Sequence, residues 1–304
     1  MKNIMKHKNL YLIISLVVLI PGFISLFTYG LKLSIDFTGG SLIVYEFQQN
    51  EIDLKDEIAK VFSEKELVAE SITQNLEGTN LTVRTKPLSV EENETIKLGL
   101  EEKYEEIAFT QVSFETVGPA IGKETTQKAF TALGWATLGI LLYITYVFRN
   151  IPKPYSSVRF GASAIIAMLH DAFLVLGIFS ILGHFFGTEI DALFITAVLT
   201  VIGFSVHDSI VVFDRIRENL GKLPKNLNFE EIVNYSIVET LNRSLATSLT
   251  VVITLLALYL LGGSSIKTFV LAMLIGIVSG TYSSIFTASP ILVIWEDFVG
   301  KRKK

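Results

Sequence analysis

Long apolar stretches recur along this chain, and one extended polar segment separates the first of them from the rest. Six stretches stay apolar for about 20 residues, which is the length that an α-helix needs to cross the hydrocarbon core of a membrane. The first follows three lysines, as a signal peptide does, but it lacks a small-residue cleavage site. Because it also contains Pro21-Gly22, we expect a retained helix that can kink there. The six predicted spans are approximately 10–29, 129–148, 160–186, 192–213, 245–261 and 269–295.

The polar segment, residues 31–127, has the pattern of a small mixed domain. β-Branched and aromatic runs predict strands, and apolar residues at helical spacing predict helices. The strands are expected at 41–47, 68–74, 80–86 and 107–117, with a turn at 77–79, and the helices at 54–62 and 90–104. This order, βαββαβ, is that of the ferredoxin-like unit. The predicted fold class is a membrane α-helical bundle of six transmembrane helices, with a ferredoxin-like α+β domain inserted between helices 1 and 2.

The composition agrees with a membrane protein. Hydrophobic residues make up 50% of the chain and charged residues only 18%, against about 25% in soluble domains. The chain has no cysteine, which excludes disulfides, thiolate metal sites and thiol catalysis. The inserted segment also lacks histidine and any convergent carboxylate motif, so we expect it to make contacts rather than to catalyse a reaction.

Outside the inserted segment, most basic residues fall on one side of the membrane if six helices alternate in direction. They precede the first span, follow the sixth, and lie between the second and third and between the fourth and fifth, whereas the connections 184–191 and 262–267 carry only Lys267. Because Lys and Arg accumulate in cytoplasmic loops, we expect both termini in the cytoplasm. The predicted regions are 1–30, the extracytoplasmic domain 31–127, the helices of 128–297, and a basic cytoplasmic tail, 298–304.

The fourth predicted span contains one carboxylate, Asp208. An ionisable side chain inside a membrane costs ~2.5–3.5 kcal/mol or more unless it is paired or hydrated, and such residues commonly serve function. Asp208 is therefore the first candidate for ion coupling, ahead of a structural hydrogen-bonding role. The second unexpected charge is Asp171, beside His170 in the third span. This pair either extends an ion path or binds only itself and the neighbouring helices.

Two glycine-containing turns flank the inserted domain. The first leads the first helix into the first strand, and the second leads the last strand into the second helix. Adjacent glycines permit a positive φ, and an aspartate can bond neighbouring backbone, so each turn has a structural explanation. The residues of this structural motif are Asp36, Gly39, Gly40, Gly118, Pro119 and Gly122.

Two further patterns concern helix packing. Asn228 and Glu231 have the spacing of a capping box, and an apolar stripe follows them, which predicts an amphipathic cytoplasmic helix near 228–242 along the inner interface. Gly276 and Gly280 give the sixth span a face of small residues. Such a face allows close helix packing, either within the chain or against a partner.

Five motifs along the chain resemble the SecF family, a branch of the resistance-nodulation-division superfamily. They are residues 34–40, 117–124, 167–171, 203–219 and 240–248, and the resemblance covers essentially the whole chain. It implies a prokaryotic inner-membrane protein that forms a complex with SecD. With SecD it would use a proton or sodium gradient to help draw unfolded exported polypeptides out of the SecYEG channel. A YidC-type insertase is a further implied partner.

The resemblance also assigns site residues. Asp208 matches the family's helix-four carboxylate, and Arg243 matches the arginine of the following Leu-Asn-Arg-Ser motif. Because both should lie at a similar depth, we predict a protonation-sensitive ion pair between them, although Arg243 is equally well placed as a snorkelling anchor. His207 stands where the family most often has asparagine. It is either a second titrating neighbour or a packed side chain.

Other classes of function fit less well. The chain lacks the signatures of zinc and serine intramembrane proteases and of P-loop nucleotide binding. We therefore expect neither an enzyme nor a nucleotide-driven pump, with no cofactor, metal or nucleic acid, and with membrane lipids as surroundings. Two alternatives remain: a passive scaffold that stabilises the translocon, and an exporter of small molecules or lipids from the same superfamily. Dependence on an ion gradient separates the coupled subunit from the scaffold.

Overall fold

A computed structural model of the chain describes residues 3–47, 55–65, 67–74, 80–103, 109–224 and 226–302. They form two compact units, a membrane unit of Met1–Lys32 with Thr131–Lys304 and a small unit of Leu33–Phe130. The helices are α1 (Lys8–Thr28), α2 (Ile35–Thr38), α3 (Lys55–Glu64), α4 (Val90–Lys103), α5 (Pro119–Val147), α6 (Ser157–Phe186), α7 (Ala192–Lys222), α8 (Phe229–Leu261), α9 (Lys267–Ser283) and α10 (Ser289–Arg302). The strands are β1 (Gly40–Phe47), β2 (Ala69–Gln74), β3 (Asn80–Thr85) and β4 (Phe109–Val117).

Six helical segments of the described chain are long and apolar enough to cross a membrane, which confirms the predicted number. The third, fourth and sixth bury half or more of their most apolar stretch inside the protein, whereas the other three bury less than a fifth. The interior of the membrane unit is thus built mainly by α6, α7 and the sixth span. The segments are Met5–Thr28, Pro119–Asn150, Ser157–Phe186, Ala192–Lys222, Phe229–Leu261 and Lys267–Gly300.

The first and third spans touch backbone to backbone. A Cβ atom added at Gly22 would lie 2.9 Å from the Cα of Gly177, so only glycine fits this crossing. Near the same crossing, the hydroxyls of Ser25 and Ser180 are hydrogen-bonded at 2.9 Å. Gly22 therefore permits the close approach of α6 to α1. The helix α1 itself continues through Pro21 and Gly22, where the sequence allows a kink.

The fifth span and the segment before it form one uninterrupted helix, α8. Asn228 and Glu231 make the predicted capping box at its start. The helix predicted near 228–242 is present but is not separate from the fifth span, because no glycine or proline interrupts residues 229–261, and its apolar stripe packs inside the unit. Phe229, for example, stacks on Tyr155 with ring centroids 4.7 Å apart.

The sixth span is not a uniform α-helix. A π-helical turn, Ser284–Ala288, joins α9 to α10. Such turns insert one extra residue into a helix and often occur at functional sites. Earlier in the span, a Cβ atom at Gly276 would lie 2.1 Å from a methyl group of Val201 on α7. The small-residue face thus packs against the fourth span of the same chain.

The small unit contains a four-stranded sheet with the order β2-β3-β1-β4, and all neighbouring strands are antiparallel. Its elements follow one another as strand, helix, strand, strand, helix, strand, as predicted. The core lies between one face of the sheet and the two helices, with Ile43 and Tyr45 of β1 against Phe62 of α3 and Ile96 of α4. The predicted turn 77–79 and residues 54, 104, 107 and 108 lie outside the described residues.

The two predicted glycine turns meet each other in the small unit. Gly39 and Gly40 have φ angles of +74° and +120°, which L side chains rarely adopt. A Cβ atom at Gly39 would lie 2.9 Å from the Cα of Pro119, and one at Gly122 would lie 2.8 Å from the backbone nitrogen of Gly39. The start of β1 and the start of α5 are therefore fitted together by their glycines.

The other two motif residues have lesser roles in this contact. The backbone N–H of Asp36 donates to the hydroxyl of Ser34 at 3.2 Å and so caps the short helix α2. A Cβ atom at Gly118 would meet nothing within 4 Å. Packing therefore explains glycine at Gly39 and Gly122, whereas open space surrounds Gly118.

Candidate ion-binding site in the membrane unit

Asp208 lies on the buried face of α7 and is 6% exposed. One carboxylate oxygen accepts a hydrogen bond from the hydroxyl of Ser244 on α8 at 2.6 Å. The other accepts from the hydroxyl of Ser284, at the start of the π-helical turn, at 2.5 Å. Three spans therefore meet at this carboxylate, and each of its oxygens is bound by a neutral hydroxyl.

Arg243 is not the partner of Asp208, so the predicted ion pair is wrong for this structure. Among the described residues, no ion pair or hydrogen bond joins the two side chains, and Arg243 is exposed on α8. Successive residues of an α-helix point about 100° apart. Since Ser244 faces Asp208, its predecessor Arg243 is turned away. The sequence motif located the correct turn of the fifth span but not the correct residue.

His207 is exposed on α7, although it directly precedes the buried Asp208. With 3.6 residues per turn, Ser205, Asp208 and Ser209 lie on one face of α7 and are buried. Gly203 and His207, four residues apart, lie on another face and are exposed. The structure therefore separates the two side chains that the sequence sets side by side. A titrating role for His207 stays a prediction.

Asp171, on α6, is fully buried and has more hydrogen-bond donors than Asp208. The hydroxyls of Ser205 on α7 and Ser279 on α9 each donate to it at 2.6 Å. Ser283, also on α9, donates a third bond. The Nδ1 atom of His170 lies 3.1 Å from Oδ1 of Asp171. The predicted contact between His170 and Asp171 is therefore present, inside a cage of three serines.

The sixth span holds both carboxylates through adjacent residues. Ser279 and Ser283 are one turn apart on α9 and both face Asp171, while the next residue, Ser284, faces Asp208. Gly280 makes room for this arrangement, because a Cβ atom there would lie 3.3 Å from the Cα of Ser205 and 3.6 Å from the carboxylate of Asp171. The two carboxylate sites thus share one helix wall.

No Lys or Arg side chain forms an ion pair with either carboxylate within the described ranges, and His170 is the one basic group in contact with Asp171. A buried negative charge without a cationic partner is expensive unless hydrogen bonds or a bound cation compensate it. The described residues contain no group of three or more His, Cys, Asp or Glu side chains that could hold a metal ion.

Serines hold both carboxylates, and the sequence alone does not single them out as candidate site residues. Five of them touch the two carboxylates: Ser205, Ser244, Ser279, Ser283 and Ser284. The sequence does carry a signal, because Ser279 and Ser283 have i, i+4 spacing in an apolar span beside Gly276 and Gly280. Serine is common in membrane helices for packing alone, and only the structure shows which ones face an acid.

Six helices long and apolar enough to span a membrane, with two buried serine-bound carboxylates among them, define a multi-pass membrane protein. The family model described as protein export membrane protein SecD/SecF, C-terminal, matches residues 99–297, and that of the SecD/SecF GG motif matches residues 24–51. The chain belongs to the SecF family of protein-export membrane proteins, and it is a multi-pass protein of the prokaryotic inner membrane.

Similar proteins cover nearly the whole chain. The protein translocase subunit SecF of Thermobaculum terrenum is 48% identical over 98% of this chain and 95% of its own length. The longer protein translocase subunit SecDF of Thermus thermophilus is 40% identical over 89% of this chain, which matches 35% of that protein. The crystal structure of SecDF from the same organism, described as a translocon-associated membrane protein, superposes with a TM-score of 0.81 at 35% identity, over 97% of this chain and 39% of that one.

Proposed function

We propose that this chain is the SecF half of a two-part machine that couples a transmembrane ion gradient to the late stages of protein export. The observation that carries the proposal is Asp208, a carboxylate inside a membrane bundle whose hydrogen-bond partners are serine hydroxyls of two other spans. A carboxylate held in this way can change protonation without breaking a strong ion pair. It is therefore a suitable carrier of the coupling ion.

The partner in this proposal is SecD, and the pair acts on unfolded polypeptides that leave the SecYEG channel. A relative in which the two parts form one chain, the SecDF protein of Thermus thermophilus, supports the pairing. A YidC-type insertase is proposed as a further neighbour. Because Arg243 and His207 are exposed on membrane-spanning helices, and lipid is a poor environment for such groups, we assign them to the side that meets SecD.

We further infer that both termini are cytoplasmic and that the small unit is extracytoplasmic, on the distribution of basic residues. The strand order and the sequence of elements support a ferredoxin-like topology for the small unit. In this orientation Asp208 lies about 24 Å along α7 from its outer end at Ala192, at 1.5 Å per residue. The coupling ion would thus have to reach the inner half of the membrane from outside.

The mechanism follows from the hydrogen bonds of Asp208. An ionised carboxylate accepts from Ser244 and Ser284, whereas a protonated one becomes a donor on one oxygen. Protonation therefore changes the hydrogen bonds that join α7 to α8 and to the sixth span. It would shift the equilibrium between two ways in which these helices pack. A gradient that loads Asp208 from one side and unloads it to the other would then drive helix movement. The proposed output is movement of the small unit.

The test measures export into membrane vesicles that contain this chain and SecD, with and without an ion gradient. Asp208→Asn keeps the size of the side chain but cannot ionise, so it should abolish the gradient-dependent part of export. Asp214→Asn, on the same helix but ion-paired with Arg217, is the matched control and should leave it intact. Collapsing the proton and sodium gradients separately identifies the coupling ion.

Normal gradient-stimulated export by Asp208→Asn would reject the coupling role, and the chain would then be a passive scaffold of the translocon. Arg243→Leu, at a residue that contacts neither carboxylate in the described chain, tests the proposed contact with SecD. Loss of all export in both variants, with or without a gradient, would point to misassembly, which co-purification of SecD with each variant detects.

A further inference from the structure

Two adjacent serines on the sixth span each reach two acceptors. The hydroxyl of Ser283 lies within hydrogen-bond distance of the carboxylate of Asp171 and of the backbone carbonyl of Gly280, the latter at 3.3 Å. The hydroxyl of Ser284 lies 2.5 Å from the carboxylate of Asp208 and 3.1 Å from the backbone carbonyl of Thr281. A hydroxyl has one hydrogen, so each serine can serve only one acceptor at a time.

This choice of acceptors matters when a carboxylate takes up a proton. An ionised carboxylate only accepts, so the serine hydrogen points to it. After protonation, the new carboxyl O–H can donate to the serine oxygen, and the serine hydrogen can turn to the carbonyl of its own helix. The carboxyl group and the serine hydroxyl of each pair therefore remain bonded in both states, which avoids the cost of leaving either group unsatisfied.

The other serines of the two sites are different. Ser244 bonds Asp208, and Ser205 and Ser279 bond Asp171, and for these three hydroxyls the described chain offers no second acceptor. They are fixed donors that hold the carboxylates in place. Each carboxylate site thus combines fixed donors with one hydroxyl that can switch, and the two switching hydroxyls belong to neighbouring residues.

We propose that Asp171 is a second proton-binding carboxyl of this chain, and that Ser283 and Ser284 are the hydroxyl switches that allow Asp171 and Asp208 to bind and release protons. The proposal rests on the proposed role of Asp208 and extends it from one proton site to two. The proton is taken from water onto a carboxylate oxygen and returned to water on release. In between, only the serine O–H groups rotate, and no other covalent bond changes.

The surroundings of Asp171 leave few competing groups. His170, on the same helix, is the titratable side chain in contact with it. The faces of α7 and α9 that meet Asp171 contribute the serines Ser205, Ser279 and Ser283, and α1, which also packs on α6, contributes no ion pair to it among the residues described. A proton taken up at this site is therefore held by the carboxyl or by His170, and the experiment has to distinguish these two.

Infrared difference spectroscopy of the full chain in lipid bilayers, between alkaline and acidic conditions, separates the two. A protonated carboxyl gives a C=O stretching band of its own, which a protonated imidazole does not. We expect two buried carboxyl bands in the unmodified protein. Asp171→Asn should remove one and Asp208→Asn the other. Ser283→Ala should shift only the Asp171 band, and Ser284→Ala only the Asp208 band.

Ser289→Ala is the matched control, because this buried serine donates to the carbonyl of Ser284 and touches neither carboxylate. It should leave both bands unchanged. A spectrum of Asp171→Asn with the same bands as the unmodified protein would overturn the proposal. If Asp171→Asn fails to fold, Ser283→Ala provides the test. Two bands at unchanged frequencies in this variant would contradict the proposal that Ser283 switches its hydrogen bond. Two bands in a protein without gradient-dependent export would preserve this inference and reject the coupling role.

Discussion

The interiors of the two units are opposite in character. Inside the small unit, the described buried residues are almost all apolar, and the polar exceptions are Ser41, Thr85 and Asn93. Inside the membrane unit, more than twenty polar residues are buried, most of them serines, while leucine, isoleucine and phenylalanine cover the outside. Water drives apolar groups inward in the small unit. Lipid tails are as apolar as leucine, so close packing and hydrogen bonds must hold membrane helices together.

The largest effect is expected from the first test, which makes a cavity in the apolar interior of the small unit. Phe62 is fully buried among the core residues of the sheet and its two helices, so Phe62→Ala should lower the free energy of unfolding by about 3–5 kcal/mol. Urea unfolding followed by circular dichroism would show an earlier transition. Both tryptophans, Trp135 and Trp295, belong to the membrane unit, so their fluorescence transition should not move. A shift of the tryptophan signal instead would mean that the units do not unfold separately.

The second tests close packing in the membrane unit. Gly276→Ala places a methyl group against Val201, and overpacking of this kind costs about 1–3 kcal/mol. Gly139→Ala, on α5, is the control, because its Cβ meets nothing within 4 Å, and alanine is favoured over glycine in helices by up to about 1 kcal/mol. Thermal unfolding in detergent, read by tryptophan fluorescence, should place the two variants on opposite sides of the unmodified protein. Equal shifts would contradict the packing argument.

The third removes one hydroxyl from the polar interior. Ser279→Ala takes one donor from Asp171, which should destabilise the membrane unit by about 1 kcal/mol, between typical values for membrane hydrogen bonds and for bonds to charged groups. The same thermal measurement applies, with Ser289→Ala as the control. Unchanged stability would indicate that water or a neighbouring serine replaces the lost donor.

The fourth and smallest removes one hydroxyl from the apolar interior. Tyr45 is fully buried, and its hydroxyl has no hydrogen-bond partner in the described part of the small unit. Tyr45→Phe should therefore be neutral or stabilise the unit by up to about 1 kcal/mol. The same change that weakens the membrane unit would thus be harmless in the small one. Urea unfolding of the two variants side by side tests this opposition.

Tyr45 also gives the small unit a pH dependence. Burial raises the pKa of Tyr45 above its usual value, so the folded unit keeps the phenol neutral where the unfolded chain ionises it. The stability contributed by this residue is full below about pH 10, the pKa of tyrosine in the unfolded chain, and is lost as the pH rises further. Above pH 10, the urea midpoint of Tyr45→Phe should decrease less steeply with pH than that of the unmodified protein. Equal decreases in the two proteins would assign the pH dependence to other groups.

The sequence predicted more of the fold than of the site, for a physical reason. Span number and the order of strands and helices depend on period and composition, which are local properties. The partner of Asp208 depends on which of two adjacent residues, Arg243 or Ser244, faces it, and a rotation of α8 by about 100° decides this. The capping box at Asn228 can likewise be predicted from its spacing, because it is a local property of four residues. Contacts between helices that are distant in sequence cannot be predicted from the local pattern of one chain.

The continuous helix α8 also links parts of the membrane unit that are far apart. Ser244 contacts Asp208, while Glu230, 14 residues earlier and so about 21 Å away along the axis, is ion-paired with Lys8, and Asn234 holds the backbone of Ile4 and Met5. An unbroken helix is stiff in torsion and along its axis. A rotation of α8 that moves Ser244 would therefore also shift the side chains that hold the N-terminal segment.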